Sequence, residues 1–311
     1  METSKHTLTL YTPCYNKGKT ISRTYESLLS QTCHDFEWII INDGSTDESK
    51  EVIDSFQTNL FHIRKIHKHN EGLSSVMNMA TQMANGEFIL RVDGDDWLVT
   101  DGVKTIHQAL NDYDMQDQHL GGLVFLTEFA DGKRCGFHPF KNPTRCNFMD
   151  YREKHKAIGD RAEVFRTSCF REFPMPSFPD ERFMLESYTW RHFSDKYDVI
   201  YYDTAIYNRE YNDASITNNW PAIGIKNPKG IQLDLSDYLN RKISLKNRIK
   251  GSVNYYRYSL HSEYSISKLI KDVPITSSLI GFIPGMVLYF IERKHLNFIH
   301  QLKNAINIHN Q

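Results

Sequence analysis

The chain has 311 residues, enough for one large domain with an appendage or for two, and its 40% hydrophobic and 24% charged content excludes a disordered, collagen-like or mucin-like protein. Five scattered cysteines, Cys14, Cys33, Cys135, Cys146 and Cys169, argue against a disulfide scaffold or a paired-cysteine zinc site and fit a reducing cytosol. The net charge of −1 hides an asymmetry, because from Pro221 onward 13 basic residues face 5 acidic ones whereas the first 220 residues hold 24 basic and 33 acidic, the pattern of an acidic body joined to a basic tail that seeks an anionic surface.

The opening METSKHTLTLYTP has no apolar core of signal-peptide length, so no export is expected, and it runs into a strand over Leu8–Thr12 that ends at Pro13. A loop follows over Cys14–Gly18. Thr20 is placed to cap a helix whose Ile21, Tyr25, Leu28 and Leu29 share one stripe. Phe36–Ile41 is too continuous for a half-exposed strand and predicts one covered on both faces in a parallel sheet. Ser45 and Glu48 have capping-box spacing before a helix through Val52, Ile53 and Phe56, and Phe61–Ile66 supplies a third strand. Leu73–Met83 reads as helix, Asn85-Gly86 as its stop and Glu87–Val92 as a fourth strand. Strand and helix alternate, so the fold class is α/β, doubly wound with a mostly parallel central sheet, and in such sheets ligands bind at the carboxyl ends of the strands.

Past Gly121, LVFLTEFA predicts a strand, and Gly- and Pro-punctuated connections through Pro143 offer acceptor-facing loops. Glu186–Tyr197 reads as helix and Asp198–Tyr207 as a terminal pair of strands. From Lys226 the chain turns to basic helical material, with five positive charges in residues 241–250. Val273–Ile291 carries no charge, and its dense part, Leu279–Ile291, contains Gly281, Pro284 and Gly285 and is short for a helix crossing roughly 30 Å of hydrocarbon. An interfacial or re-entrant hairpin is expected there, a buried helical pair packed on the catalytic domain being the alternative. The chain is thus divided into a catalytic domain, residues 1–220, and a basic, partly apolar helical extension, residues 221–311.

Two acidic loops carry the chemistry. Asp93, Asp95 and Asp96 crowd the end of the fourth strand, where mutual repulsion makes sense if a hard divalent cation, Mg²⁺ or Mn²⁺, neutralises them, although for DGDD alone an Asp- and Gly-rich turn is the commoner explanation and the surrounding pattern has to decide. Asn42-Asp43-Gly44-Ser45-Thr46-Asp47 ends another strand of the same sheet and opens on the same crevice. Asp43 can accept the ring N–H of a nucleobase and Tyr15 can stack on its face, which together make a nucleotide pocket. Neither a P-loop nor a G-x-G-x-x-G follows the first strand, so ATP hydrolysis and dinucleotide redox chemistry are unsupported. His67 and His69 lack a third ligand in the pattern and are given no role.

Pro13-Cys14-Tyr15-Asn16, NDGSTD at 42–47, NEGLSSVMN at 70–78 and NGEFILRVDGDDW at 85–97 resemble, in order and spacing, the inverting family 2 glycosyltransferases of the GT-A fold, over residues 8–215. The resemblance implies a donor site of Pro13, Tyr15, Asn16, Asp43, Asp93 and Asp95, with Asp95 and Asp96 on the metal and Asp96 its first ligand. It also implies a general base past mid-chain, which falls on Glu186, four residues before Trp190, as in a subset of bacterial capsule and cell-surface polysaccharide transferases. Asp180 and Glu181 are reserve candidates. Two positions depart from the pattern: Asn42 replaces the first Asp of the usual pair, and Met77 stands where many relatives have Arg, so that Arg161 or a lysine must supply the phosphate contact.

The function so implied is metal-dependent, inverting transfer of a sugar, hexosyl first, from a nucleoside-diphosphate donor to a hydroxyl of a growing cell-surface glycan or lipid-linked acceptor. Uridine is the first base, with guanosine and thymidine open. The expected location is the cytoplasmic face of the cell membrane, by peripheral contact of the extension with anionic lipid, and no nucleic-acid partner is expected. Two rivals remain: a catalytically silent nucleotide-sugar-binding or scaffolding module, which is disfavoured because each catalytic position holds a competent side chain, and a nucleotidyltransferase, for which PCYNKGK is too poor in glycine.

Overall fold

The computed structural model describes residues 8–210 and 220–308. Its elements in chain order begin with β1 (Leu8–Cys14), α1 (Ile21–Leu29), β2 (Phe36–Asp43), α2 (Ser49–Ser55), β3 (His62–Lys68), α3 (Leu73–Met83) and β4 (Phe88–Arg91). A two-residue β5 (Trp97–Leu98), α4 (Gly102–Asn111), β6 (Leu120–Phe129), β7 (Thr144–Cys146), a π-helical turn (Asp150–Lys154) and β8 (Arg161–Arg166) follow. Then come α5 (Thr167–Phe170), α6 (Glu186–Ser194), β9 (Asp198–Arg209) and five helices: α7 (Trp220–Lys226), α8 (Pro228–Leu239), α9 (Leu245–Ser259), α10 (Ile266–Lys271) and α11 (Ile275–Ile308). The chain divides into two units, Met1–Pro176 with Thr189–Asp213, and Ser177–Tyr188 with Ala214–Gln311.

Among the described residues the strands of the first unit form one sheet in the order β3-β2-β1-β4-β8-β6-β9-β5, with β7 paired to β9. β3, β2, β1 and β4 are parallel, in the register Leu8 opposite Phe36 and Phe88. β8 runs against both β4 and β6. All eight residues of β2 are buried, as its composition requires of a strand covered on both faces. Leu8, Leu10, Phe36, Trp38, Ile40, Phe88 and Leu90 share one core, at alternate positions of three neighbouring strands. Glu37 interrupts that apolar run without loss because its carboxylate accepts from Thr9 Oγ1 (2.7 Å) and from the backbone (2.7 Å) and side-chain (3.0 Å) nitrogens of Asn85, and pairs with Arg64. Burial pushes its carboxyl up, but the Asn85 and Thr9 hydrogen bonds and the Arg64 charge outweigh it and hold the group below the usual range.

Several expectations need correction. Thr20 sits at the α1 N-cap but its side chain makes no cap; the Oγ1 donates to the Gly94 carbonyl (2.8 Å). Ser45 and Glu48 form no capping box, because the Ser45 hydroxyl accepts from the Asn16 amide (2.9 Å) and α2 opens instead on Asp47, which accepts from the Ser49 amide (3.1 Å). Asp198–Tyr207 is one long strand with register shifts against β6, not a pair. The expected hairpin in Val273–Ile291 is absent: α11 runs unbroken through Gly281, Pro284 and Gly285.

A buried polar node closes the connection between β6 and β8. Arg161 Nε donates to the Tyr151 hydroxyl (2.7 Å), and its other four N–H groups reach the carbonyls of Cys135, Asp160, Phe137 and Ile158 at 2.7–3.0 Å. The Tyr151 hydroxyl is in turn hydrogen-bonded to His138 Nδ1 (2.8 Å). Every donor of the guanidinium is therefore spent, which leaves none for a phosphate. Arg161→Met should destabilise the first unit by about 3 kcal/mol or more, because several buried carbonyls lose their donor at once; urea denaturation measures this. Burial and the Arg161 charge push His138 down to about 4 from its usual 6.5. The unfolded chain then binds a proton that the folded one refuses between pH 6.5 and 4, so the stability due to neutral His138 is complete above 6.5 and is lost as pH falls. His138→Gln should flatten that part of the acid-unfolding profile.

Candidate active site

β1, β2 and β4 are adjacent and parallel, so the loops leaving their carboxyl ends meet on one edge of the sheet. The first of these loops, after Pro13 and Cys14, carries Tyr15, half of whose surface (50%) is exposed. Asn16 adopts a left-handed conformation (φ 53°) and its Oδ1 accepts from the Thr46 amide (2.8 Å). The Lys17 amide donates to Ser49 Oγ (2.8 Å) and the Gly18 amide to Asp47 Oδ2 (3.0 Å), which binds this loop to the one after β2.

The β2 loop is itself fixed from below. Asp43 is buried, and its carboxylate accepts from Lys68 Nζ (2.8 Å), the Glu71 amide (3.0 Å) and the Gly72 amide (2.8 Å), so it anchors the entry to α3. Asn42 accepts from the Ser45 amide (3.1 Å), an Asx turn that an aspartate would also form. Gly44 has φ +71°, and a Cβ there would lie 2.6 Å from the Asn70 amide nitrogen, so only glycine fits between the two loops.

The acidic loop after β4 is gripped by cations and hydroxyls. Asp95 pairs with Lys17, and Asp93 with Arg91 (3.1 Å). Asp96 is 3% exposed, accepts from the Tyr207 hydroxyl (3.0 Å) and lies 3.5 Å from Arg209. Burial, then the Asp93 charge, push Asp96 up to about 7 while Arg209 pulls the other way. The loop backbone is held by the hydroxyls of Thr20, on the Gly94 carbonyl, and Thr24, on the Asp96 carbonyl (2.7 Å). Arg23 donates to the Asp95 carbonyl and lies 4.1 Å over the Trp97 ring.

The remaining candidates stand apart from this cluster in sequence. Glu186 is the first residue of α6 and is partly buried, and Trp190, one turn on, packs on Phe165 (4.9 Å) and Phe170 (5.4 Å). Glu181 is buried because its two oxygens accept from the Lys229 and Gly230 amides (2.7 Å each), at the second and third positions of α8, where a carboxylate also meets the helix dipole. Asp180 is exposed and 3.6 Å from Lys229 Nζ.

Four site residues escaped the sequence reading: Lys17, Arg91, Tyr207 and Arg209. Arg91 was findable, since it is the last residue of β4 and stands two before Asp93 in the loop that this strand feeds. Met77, at the position where an arginine was sought, is buried with its sulfur 3.9 Å from Arg91, so the basic group comes to the site from β4.

Among the described residues no group of three or more His, Cys, Asp and Glu is gathered to hold a metal ion. The donors nonetheless suit a hard cation in kind: all are carboxylate oxygens, and the Asp93 and Asp95 charges that add to burial in lifting Asp96 are what a divalent ion relieves.

An open α/β sheet with a pinned Asp-bearing loop after β2 and a D-x-D-D loop after β4 is the architecture of a GT-A domain. The family model for Glycosyl transferase family 2 matches residues 9–168, just over half of the sequence, and the chain belongs to that family. Glycosyltransferase GlyG of Streptococcus pneumoniae is 34% identical over 108 residues, 34% of this chain and 36% of GlyG, so the match spans about a third of that relative's length. TarS 1-349 of S. aureus, solved in complex with UDP-GlcNAc, aligns with a TM-score of 0.57 at 16% identity over 93% of this chain and 92% of its own. The mannosyltransferase PcManGT from Pyrobaculum calidifontis, in complex with GDP-Man and Mn²⁺, gives 0.54 at 13% identity over 94% and 81%. These two likenesses are of fold.

Proposed function

We propose that this chain transfers a sugar, a hexose first, from a nucleoside-diphosphate donor, UDP-linked first, to a hydroxyl of a growing cell-surface glycan or lipid-linked saccharide, with inversion. The observation that carries this reading is the crowding of Asp93, Asp95 and Asp96 among Lys17, Arg91 and Arg209 at the sheet's carboxyl edge, beside the exposed ring of Tyr15. The nucleotide-sugar complexes of the two structural neighbours support the donor class, and the Mn²⁺ in one of them supports the cation.

In this reading Tyr15 stacks on the base, Pro13 and Asn16 shape the loop around it, and Asp43 meets the ring N–H. Asp93 and Asp95 face the ribose and diphosphate. Asp95 and Asp96 hold Mg²⁺ or Mn²⁺, which when bound offsets the charge building on the departing diphosphate. Lys17 and Arg91 release their carboxylates and bring positive charge to the phosphates, the role first sought for Arg161. Glu186 takes the acceptor's proton as its oxygen bonds to the sugar C1. The C1–O bond to the diphosphate breaks on the opposite face and its electron pair leaves with the nucleotide. One displacement inverts the centre.

The test is incubation of the protein with a panel of nucleotide sugars, with and without EDTA, followed by nucleotide release. Metal-restored turnover of one donor is expected; turnover unaffected by EDTA contradicts the metal assignment. Tyr15→Ala removes an exposed ring and should leave the melting temperature unchanged while weakening nucleotide binding by about 1–3 kcal/mol, the worth of one base–aromatic stack. Unchanged affinity in a calorimetric titration would remove Tyr15 from the pocket.

A further inference from the structure

In the second unit α9 and α11 run side by side in the same direction. Arg248 reaches Ser277 Oγ (3.2 Å), Tyr256 donates to Ser278 Oγ (2.7 Å) and Arg257 pairs with Glu292. A Cβ on Gly281 would lie 2.3 Å from the Ser252 carbonyl oxygen and one on Gly285 2.6 Å from the Tyr256 Cβ, so the two glycines let the helices close on each other. This contact occupies one face of α11.

The other face is apolar and bare. Ile275, Leu279, Ile283, Val287 and Ile291 recur every fourth residue and, with Phe290, are 50–78% exposed. That spacing makes one continuous ridge. An apolar strip of this length on a protein surface marks an interaction site. Its surroundings are cationic: exposed Lys271 stands four residues ahead of Ile275, and exposed Arg293 and Lys294 follow Ile291. On α9, the pairing of Arg248 with Ser277 and of Ser252 with Gly281 sets exposed Lys246 and Lys250 level with Ile275 and Leu279, beside exposed Leu245 and Ile249. Arg241 and Arg248 are bound within the fold, to Asp237 and to the Leu239 and Arg241 carbonyls, so the free charge of that segment is carried by Lys242, Lys246 and Lys250.

We propose that this ridge docks on an anionic membrane surface, with α11 lying in the plane of the leaflet, its apolar residues in the boundary between headgroups and acyl chains and the flanking lysines on lipid phosphates. The charge pattern selects lipid over a second copy of the chain, because apposed ridges would set lysine against lysine. Ile275–Lys294 is long and apolar enough to cross a bilayer. Crossing would draw α9, which is held to α11 by Arg248 and Arg257, into hydrocarbon together with its exposed Lys246 and Lys250, whereas lying flat leaves these charges at the headgroups or in water. The inference holds whatever the donor sugar, and five free cysteines suit the cytoplasmic side.

The test is co-sedimentation of the full chain with vesicles of phosphatidylglycerol and phosphatidylcholine, against phosphatidylcholine alone. Binding to the anionic vesicles is expected, weakened at least tenfold by Leu279→Ser with Ile283→Ser and, separately, by Lys246→Glu with Lys250→Glu, and released by an alkaline carbonate wash. All four side chains are exposed, so the variants should melt as the parent does. The proposal is overturned by failure to bind anionic vesicles at low salt, by binding that both double variants retain, or by resistance to carbonate, which would mean a spanning helix. A lipid-free dimer that the Leu279→Ser, Ile283→Ser variant dissolves, without vesicle binding, would assign the ridge to a second copy.

Discussion

Asp95→Ala is expected to lower turnover on the order of 10²- to 10³-fold, the scale for removing one group that stabilises charge developing in a transition state. Asp95 is partly exposed and pairs with a Lys17 that is itself partly exposed, an ion pair of small worth in water, so the fold should survive its loss. Asp96→Asn should cost as much. The substitution keeps the shape and, because burial and the Asp93 charge raise the carboxyl to about 7 and so disfavour its charged form, it relieves repulsion and should leave stability equal or higher. Turnover falling while the melting temperature holds separates a role in the reaction from a role in the fold. Both variants turning over at the parent rate would remove the acidic loop from the chemistry.

Glu186→Gln is expected to reduce kcat by 10²- to 10⁴-fold, the range for losing a general base, with donor affinity unchanged. The neighbouring carboxylates supply the control. Glu181→Gln takes away the acceptor of two α8 amides and should show in stability, by about 1 kcal/mol, rather than in kcat. Asp180→Asn, at an 82% exposed side chain, should change neither. If Glu186→Gln retains parental kcat and Asp180→Asn does not, the base belongs to Asp180.

The elements around the site were legible because periodicity and punctuation agreed. β1, β2 and α3 follow from alternation, a continuous apolar run and a glycine stop, and the two acidic loops fall at strand ends as their composition required. What the pattern could not convey is which partner a polar side chain finds. Thr20, Ser45 and Glu181 each carry local signals, two of capping and one of catalysis, yet Thr20 and Ser45 tie loops together and Glu181 caps a distant helix. Arg161 looked like a spare cation only while the carbonyls of residues 135–160 were out of view. β8 alternates Ala162 and Val164 inward with Arg161 and Glu163, and α4 spaces Val103, Ile106 and Leu110 as a helix; both signals were short and passed over between stronger ones. In α11 the glycines and Pro284 read as breakers, but Gly281 and Gly285 serve close packing on α9, and a single proline with its ring exposed is absorbed within a helix held by its neighbour.

The most direct test of the central claim is the stereochemistry of the product. Proton NMR of the first glycoside formed from an α-linked nucleotide sugar should show a β anomeric signal, as a single displacement with Glu186 as base requires. A product that keeps the α configuration, or nucleotide release with no glycoside from any donor and acceptor offered, would contradict the account.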